Sequence, residues 1–316
     1  ISFNVGIGSL PNPDVTTRSH DTSGGNVSAP TRGYTTGAAN NSGYTFSGGE
    51  YMTVAVTGKG ITSRPTSEVV KQYTVASGSS GNNSLAYQKD ADGSSATIGF
   101  NWLSTVESVS IRAWSDGKTK TPATPVVDPV NNTFTIETTQ SGDVKELLYS
   151  KTADYNYGTN GSISIPLYHQ LARIVINLKD DAEGTPTINA ITIGHDSDGN
   201  RVPTTAKFTV PQSTDYGSWS NQGDLSTIIP KKEATATTGY AHTYTAIVIP
   251  SATGSTSEYP SGMKLINVTL PSKNSNSVNV DYSYKLTSAI EIKPGRQYTF
   301  NITIKETGLT GATATV

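Results

Sequence analysis

Cysteine is absent from the 316-residue chain. This absence excludes disulfide bonds, a nucleophilic thiolate and a cysteine-ligated zinc site. Charged residues are also scarce: they make up 15% of the chain, whereas soluble domains usually contain about 25%. The net charge of −2 gives no global field that would attract nucleic acid or an anionic membrane. Ser, Thr, Asn and Gly replace the missing charges, which is typical of an extracellular β protein.

Long apolar runs are missing as well. No segment approaches the roughly 18 apolar residues of a membrane span, and no charged-then-apolar signal segment is present. We therefore expect that any attachment to a membrane is made through a lipid anchor upstream of residue 1.

Motifs for catalysis and cofactor binding are not found. The four histidines lack the spacing of metal ligands on a helix, and neither a G-x-S-x-G elbow nor a P-loop occurs. We expect no enzyme activity and no cofactor. A Ser–His–Asp arrangement assembled by the fold is the alternative that the sequence leaves open.

Short segments of alternating apolar and polar residues run through the whole chain. The alternation is clearest in "FTIETT", "RIVINLK" and "YTFNITIK", and this period of two is that of half-buried β-strands. In the last of these segments, one face carries Tyr298, Phe300, Ile302 and Ile304, which we expect in the core. No apolar stripe of helical period lasts for three turns, so the sequence predicts an all-β fold.

The strand-like segments fall into two groups of similar size. Between them lies "SKTADYNYGTNGS" (150–162), which is rich in Gly, Asn and Tyr and has no buried pattern. About seven strands on each side fit two antiparallel β-sandwiches in tandem. The predicted domains are residues 1–155 and 156–316.

The chain opens with a strong strand pattern and continues with a long polar stretch. The alternating apolar residues of the strand are Ile1, Phe3, Val5 and Ile7. Residues 8–43 then form a predicted loop that contains Arg18 and Arg32. Loops longer than about 12–15 residues are uncommon in compact domains and are often functional.

Two segments resemble calcium loops. One contains Asp90 and Asp92, and the other contains Asp196 and Asp198. In each segment a glycine follows the second aspartate. An EF-hand loop needs a carboxylate at its twelfth position, where these segments have Asn101 and Lys207. Asp-Gly is also an ordinary turn between strands, so we predict turns rather than metal sites, with a weak cation site as the alternative.

Loop aromatic residues offer one possible ligand site. Tyr216 and Trp219 lie in "DYGSWSNQG", outside any alternating segment. We expect the loop to pack against the protein, and a glycan contact through exposed aromatic rings is the alternative interpretation.

Two further motifs resemble the fimbrillin family, which comprises the type V pilins and related surface lipoproteins of Bacteroides-like bacteria. The first is "ISIPLYHQLARIVINLK" (163–179), an apolar strand followed by His, a short turn, Ala, a basic residue and a second strand. The second is "IEIKPGRQYTFNITIKETGLTGATATV" (290–316). The opening "ISFNVG" is also similar to the start of family members.

The resemblance implies a fold and a mode of assembly. The fold would be two tandem transthyretin-like β-sandwiches in an exported protein of the outer membrane or the cell-surface fimbrium. In stalk pilins, a trypsin-like protease cuts after an Arg of the N-terminal loop, here Arg18 or Arg32. The first strand then leaves, and a strand of a neighbouring subunit fills its place. The possible donor strand here is Thr313, Ala314, Thr315 and Val316.

The sequence therefore predicts a structural subunit of a bacterial surface fimbria that supports adhesion. Its expected partners are other fimbrial subunits, either copies of itself or anchor and tip proteins. The alternative is a monomeric surface lipoprotein or tip adhesin that binds a glycan or a host protein through its loops. The sequence leaves the stalk, tip or anchor role undecided.

Overall fold

The fold is taken from a computed structural model of the chain. It describes residues 3–7, 34–36, 44–46, 51–59, 66–75, 83–90, 100, 107–116, 128, 130, 132–141, 146–156, 163–180, 186–197, 199–210, 216–220, 222–272, 275–305, 308–310 and 314–315. All regular structure in these ranges is β-strand, which confirms the predicted all-β class. Within the same ranges no helix is long and apolar enough to cross a membrane.

The strands of the described residues are short and numerous. In chain order they are β1 (Phe3–Ile7), β2 (Tyr34–Thr36), β3 (Tyr44–Phe46), β4 (Tyr51–Lys59), β5 (Val69–Val75), β6 (Asn83–Asp90), β7 (Ser108–Ser115), β8 (Thr133–Thr135), β9 (Leu148–Tyr149), β10 (Ala153–Asn156), β11 (Ile163–His169), β12 (Ala172–Asp180), β13 (Ala190–Ile193), β14 (Val202–Pro203), β15 (Thr205–Thr209), β16 (Ser218–Ser220), β17 (Leu225–Ser226), β18 (Lys231–Lys232), β19 (His242–Val248), β20 (Lys264–Ser272), β21 (Ser275–Lys285), β22 (Gln297–Lys305), β23 (Gly308–Thr310) and β24 (Ala314–Thr315).

The first sheet closes on itself. Its strands follow the order β10-β7-β4-β5-β6-β1-β11-β9, and β9 also pairs with β7. Seven strands thus form a hydrogen-bonded ring, to which β10 is added beside β7. The ring encloses a core of fully buried residues from β4, β7, β9 and β11. These include Met52, Val54, Val56, Ile111, Leu148, Ile163, Ile165 and Leu167.

The second part of the molecule is built on a six-stranded sheet. Its order is β18-β19-β12-β22-β23, and β24 also pairs with β22. The inward faces of β12 and β22 belong to one hydrophobic cluster with the three-stranded sheet β13-β20-β21. In β22 the predicted core face is confirmed, because Tyr298, Phe300, Ile302 and Ile304 are at most 5% exposed.

One edge of the six-stranded sheet is closed by short and polar elements. Strand β18 consists of Lys231 and Lys232 and pairs with only two residues of β19. Beyond it, the side-chain amide of Gln140 donates to the carbonyl oxygen of Ile247 and accepts its N–H, both at 2.8 Å. Gln140 therefore replaces a strand at this edge, where unpaired backbone groups would otherwise attract another chain.

The chain passes between the two parts more than once. Strand β8, which precedes the predicted boundary at 155/156, pairs with β15 in the second part. Strand β11, which follows the boundary, pairs with β1 and β9 of the first sheet. The strand pairing therefore does not follow the division into 1–155 and 156–316. The chain last leaves the first sheet at Gln170–Leu171, between β11 and β12.

Candidate functional site

The first strand lies inside the ring rather than at a free edge. It pairs with β6 in the antiparallel direction and with β11 in the parallel direction. We call the position between β6 and β11 the slot. In β11, Ile163, Ile165 and Leu167 are buried, at 3% exposure or less. They are in register with Phe3, Val5 and Ile7, which are the residues predicted to plug the first domain.

Pro166 of β11 is compatible with this pairing. Just beyond β11, the N–H of Gln170 donates to the carbonyl of Leu147 at 2.8 Å, so the backbone of Gln170 faces the β9 side. Because backbone direction alternates along a strand, Pro166 faces the same side. Its missing N–H therefore removes nothing from the ladder to β1. It does prevent further strand pairing on the side of β11 away from the slot.

Of the predicted loop 8–43, the structure describes only Tyr34–Thr36. Strand β2 lies within this range and pairs with β3, so Tyr34–Thr36 are strand rather than loop. Ile1, Arg18 and Arg32 lie outside the described residues, and their predicted roles stay predictions.

An aromatic junction joins the two parts beside the end of β11. We define the junction as Tyr149, Tyr168, Gln170, Phe208, Tyr216 and Trp219. The ring centroids of Tyr149 and Phe208 are 5.3 Å apart, and those of Phe208 and Trp219 are 5.2 Å apart. The rings of Tyr168 and Tyr216 meet edge to face at 5.9 Å. These contacts connect β9 and β11 to the second part.

Gln170 organises the hydrogen bonds of the junction. Its carbonyl oxygen accepts the indole N–H of Trp219 at 2.8 Å, and its side-chain oxygen accepts the N–H of Gly217 at 2.8 Å. Its side-chain N–H groups donate to the carbonyls of Tyr149 and Tyr168. The residue is 0% exposed, so these bonds satisfy an amide that would be costly to bury alone.

Trp219 is packed against the protein, which is the arrangement expected for this loop. Its side chain is 2% exposed and contacts Phe134 and Phe208, so its ring offers no surface to a glycan. Tyr216 is half-buried against Tyr168 and Gly295. A side chain at Gly295 would collide with the Tyr216 ring, and the backbone there has a φ of 67° that favours glycine. The loop is therefore packed, because tertiary contacts bury residues that the local pattern leaves exposed.

A charged cluster flanks the junction. Arg112 of β7 donates to both oxygens of Glu68 and to Asp128, at 2.5–2.6 Å, and also to the Tyr149 hydroxyl. Burial alone would lower the pKa of Arg112, but its carboxylate partners raise that pKa above its ordinary value. Burial also raises the pKa of Tyr149, although the nearby Arg112 opposes this effect. The cluster ties the segment that leads towards β8 to the first sheet.

A buried pair of titratable side chains lies at the end of β11, next to the slot. His169, at the end of β11, is hydrogen-bonded through Nδ1 to Glu146, and both side chains are nearly inaccessible. The sequence predicts packing on Tyr168 or a backbone bond for this histidine. Its acidic partner lies 23 residues away and leaves no local signature.

The acidic segments give no three-residue metal cluster in the described ranges. Asp196 is 80% exposed at its side chain and lies 3.7 Å from Arg201. The turn around it is closed by hydrogen bonds of Ser197 with His195 and Asn200, and Gly199 has a φ of 71°. Asp90 ends strand β6, while Asp92 and Asp198 lie outside the described residues.

The predicted donor segment lies at the edge of the second sheet. Ala314 and Thr315 form β24 and pair with Phe300 and Thr299 of β22. Strand β23 pairs with the next part of β22, at Thr303–Lys305. Thr313 and Val316 lie outside the described residues. The C-terminal strands therefore pair within their own chain.

A family comparison now identifies the class of protein. The model of the fimbrillin-like family matches residues 31–316. The chain therefore belongs to the fimbrillin-like family, as its two motifs predict. A comparison with curated proteins gives no match.

Two solved structures from Bacteroides share the fold of this chain at low sequence identity. A candidate cell adhesion protein from Bacteroides ovatus is 12% identical, with a TM-score of 0.54, over 99% of this chain and 94% of that one. A candidate cell adhesion protein from Bacteroides uniformis is 15% identical, with a TM-score of 0.52, over 83% of this chain and 90% of that one. The tip fimbrial protein Mfa3 from Porphyromonas gingivalis, with a C-terminal truncation, is 9% identical, with a TM-score of 0.38, over 84% and 93%.

Proposed function

We propose that the protein is a structural subunit of a bacterial surface fimbria, assembled by exchange of its first strand. The observation that carries the proposal is the position of β1, which is the first strand of the chain and lies between β6 and β11 inside a closed ring. Membership of the fimbrillin-like family supports a role in fimbriae or adhesion at the cell surface.

The steps of assembly follow from the backbone. A cut after Arg18 or Arg32 would leave β1 held only by noncovalent contacts. Its departure would expose the edges of β6 and β11 and the buried residues Ile163, Ile165 and Leu167. An extended segment of another subunit would then supply the backbone partners, as in β-strand addition. Head-to-tail insertion does not close on itself, so it produces a filament.

The proposed donor is the C-terminal segment that contains β24. It lies at the edge of the second sheet, where it can detach without opening the centre of that sheet. Its proposed partners are copies of this chain or anchor and tip subunits, and a lipid anchor upstream of residue 1 would hold the assembly at the outer membrane.

Limited trypsin digestion of the full chain tests the proposal. We expect first cuts at Arg18 or Arg32, followed by ladders of oligomers on native gels. The matched controls are Arg18→Ala, Arg32→Ala and the double variant, of which the double variant should neither be cut in this segment nor form ladders. A nicked protein that stays monomeric and keeps β1 would contradict strand exchange. It would favour the monomeric surface lipoprotein or tip adhesin that binds a glycan or a host protein, a role consistent with the descriptions of the two Bacteroides structures.

A further inference from the structure

Strand β11 belongs both to the slot and to the junction. Its first five residues, Ile163–Leu167, are in register with all of β1. Its last two, Tyr168 and His169, pair with Tyr149 and Leu148 of β9. Gln170 follows immediately and bonds to Trp219 and Gly217 of the second part. One continuous strand thus contacts the removable strand at one end and the second part at the other.

The slot end of β11 depends on β1 for its backbone partners. Among the described strands, β9 reaches only Tyr168 and His169 on the other side of β11, and Pro166 cannot donate a hydrogen bond on that side. When β1 leaves, Ile163–Leu167 therefore lose their paired strand. A strand without partners opens more readily, because unpaired backbone groups exchange their bonds with water.

The connection between β11 and the second part is too short and too firmly bonded to move independently of β11. Only Gln170 and Leu171 separate β11 from β12. Leu171 is 0% exposed, and its carbonyl accepts the N–H of Gly295 at 2.9 Å. Ala172 already pairs with Val248 in the centre of the second sheet. Movement of β11 must therefore act on the bonds of Gln170.

We propose that β11 couples the filling of the slot to the junction. A filled slot holds β11 straight, and Gln170 then fixes Trp219 and Gly217, so the two parts keep one orientation. An empty slot frees Ile163–Leu167, and the bonds of Gln170 to the second part weaken. This regulation rests on the proposed exchange of β1: after β1 has left, a subunit would regain a stiff junction only once a partner strand is seated.

Hydrogen exchange on a nicked monomer tests the coupling. A site for a specific protease is inserted between residues 20 and 30 of the full chain and cut, and the released segment is removed by gel filtration. The synthetic peptide ISFNVGIGS is then titrated back. Without peptide, we expect exchange at residues 163–167 and 216–220 to be at least about tenfold faster, as for a locally opened segment. Residues 297–304 of β22 serve as the internal control and should not change.

The titration gives the decisive result. Coupling requires that peptide restores protection at 163–167 and at 216–220 with the same midpoint concentration. Unchanged protection at 216–220 while 163–167 opens would overturn the proposal, as would loss of protection at 297–304, which indicates general unfolding. If the emptied protein fails to stay soluble, a direct comparison of the uncut protein with its Gln170→Ala variant replaces the titration. That variant should accelerate exchange at 216–220 and leave β22 protected, and equal exchange at 216–220 in the two proteins would contradict the role of Gln170.

This experiment is independent of polymerisation. It uses a monomer and a peptide, so its result stands whether or not trypsin treatment produces oligomers. Failure of the coupling would leave strand exchange possible, and failure of polymer formation would leave the coupling measurable.

Discussion

Among the described strands, each part of the molecule contains one parallel pair, and the two pairs differ in length and in surroundings. In the first sheet, β11 pairs with β1 over five residues. In the second, β12 pairs with β22 over eight residues, from Arg173–Gln297 to Asp180–Ile304. Strand β22 also pairs with β23 and β24 and contributes Phe300 to the largest core. If β1 is exchanged as proposed, the shorter pair is the one that opens, while the longer pair stays at the centre of its sheet.

The difference follows from where the parallel partner lies in the chain. Strand β1 lies near the N-terminus, and its residues meet β11 across about half of the sequence. Both β1 and β22 have strands on two sides, but β22 is also joined to β12 through side chains, by the hydrogen bond between Asn177 and Asn301 at 2.9 Å. Four predictions test how far this contrast extends, in order of decreasing effect.

Removal of the Phe300 ring should have the largest effect. Phe300 is 0% exposed in the centre of β22, so Phe300→Ala should lower the free energy of unfolding by about 3–5 kcal/mol. Urea denaturation measures the change. The control is Thr299→Ala, the half-buried neighbour on the other face, which should cost less than about 1 kcal/mol. A loss below 1 kcal/mol for Phe300→Ala would show that β22 is not held at the centre of its sheet.

Gln140→Ala should weaken the protected edge of the six-stranded sheet. It removes the two hydrogen bonds to Ile247 and leaves a buried N–H and a buried carbonyl unsatisfied, at a cost of about 2–3 kcal/mol. Thermal melting measures the loss, and Thr139→Ala is the exposed control. Equal melting temperatures for the two variants would mean that the bonds of Gln140 to Ile247 do not stabilise this edge of the sheet.

Buried tyrosines of the second core should make stability fall in alkaline solution. Burial raises the pKa of Tyr298 to about 12 and also raises that of Tyr259. Because the unfolded tyrosine ionises near pH 10, the folded state holds more protons between about pH 10 and 12. Its stability should then drop by up to about 1.4 kcal/mol per pH unit for each tyrosine.

Denaturation at pH 8, 10 and 11 measures this loss, and Tyr298→Phe is the comparison. The variant loses the bonds to Lys293 and Glu291 and starts less stable, but its stability should fall less steeply with pH. Equal slopes for both proteins would indicate that Tyr298 ionises in the folded state.

The surface pair of the first sheet should have the smallest effect. Lys59 and Asp154 join β4 to β10 across β7 at 2.5 Å, with side chains 47% and 56% exposed. A double-mutant cycle of Lys59→Ala and Asp154→Ala should give a coupling below about 0.5 kcal/mol. A coupling above 1 kcal/mol would mean that the outer strands of the first sheet are held more firmly than exposure suggests.

Local alternation predicts long strands such as β12 and β22, but neither short strands such as β2 and β10 nor the partners of any strand. The segments around β12 and β22 show the pattern clearly, because one face of each is apolar throughout. The opening strand was also predicted from Phe3, Val5 and Ile7. Its parallel pairing with β11 was not, since register between distant strands depends on the whole sheet. Strand pairing crosses the predicted boundary at 155/156 for the same reason, because β11 joins β1 in the first sheet and β8 joins β15 in the second part.

The junction residues were missed or misjudged for a related reason. Trp219 is surrounded by polar residues and was predicted to lie in a loop, yet Phe134 and Phe208 bury it. Gln170 bonds to Gly217 and Gln140 bonds to Ile247, which lie 47 and 107 positions away and leave no periodic signal. A buried glutamine is recognisable only when its partners are known.

The parallel pairing of β1 with β11 also sets an order of events during folding. Strand β1 is synthesised before β11, and the two paired segments are separated by about 160 residues of the chain. The ring cannot close before β11 is present. Contacts of such high sequence separation form slowly, and the waiting strand keeps its apolar side chains open to aggregation. In the nascent chain, β1 therefore remains without its parallel partner until β11 has been made.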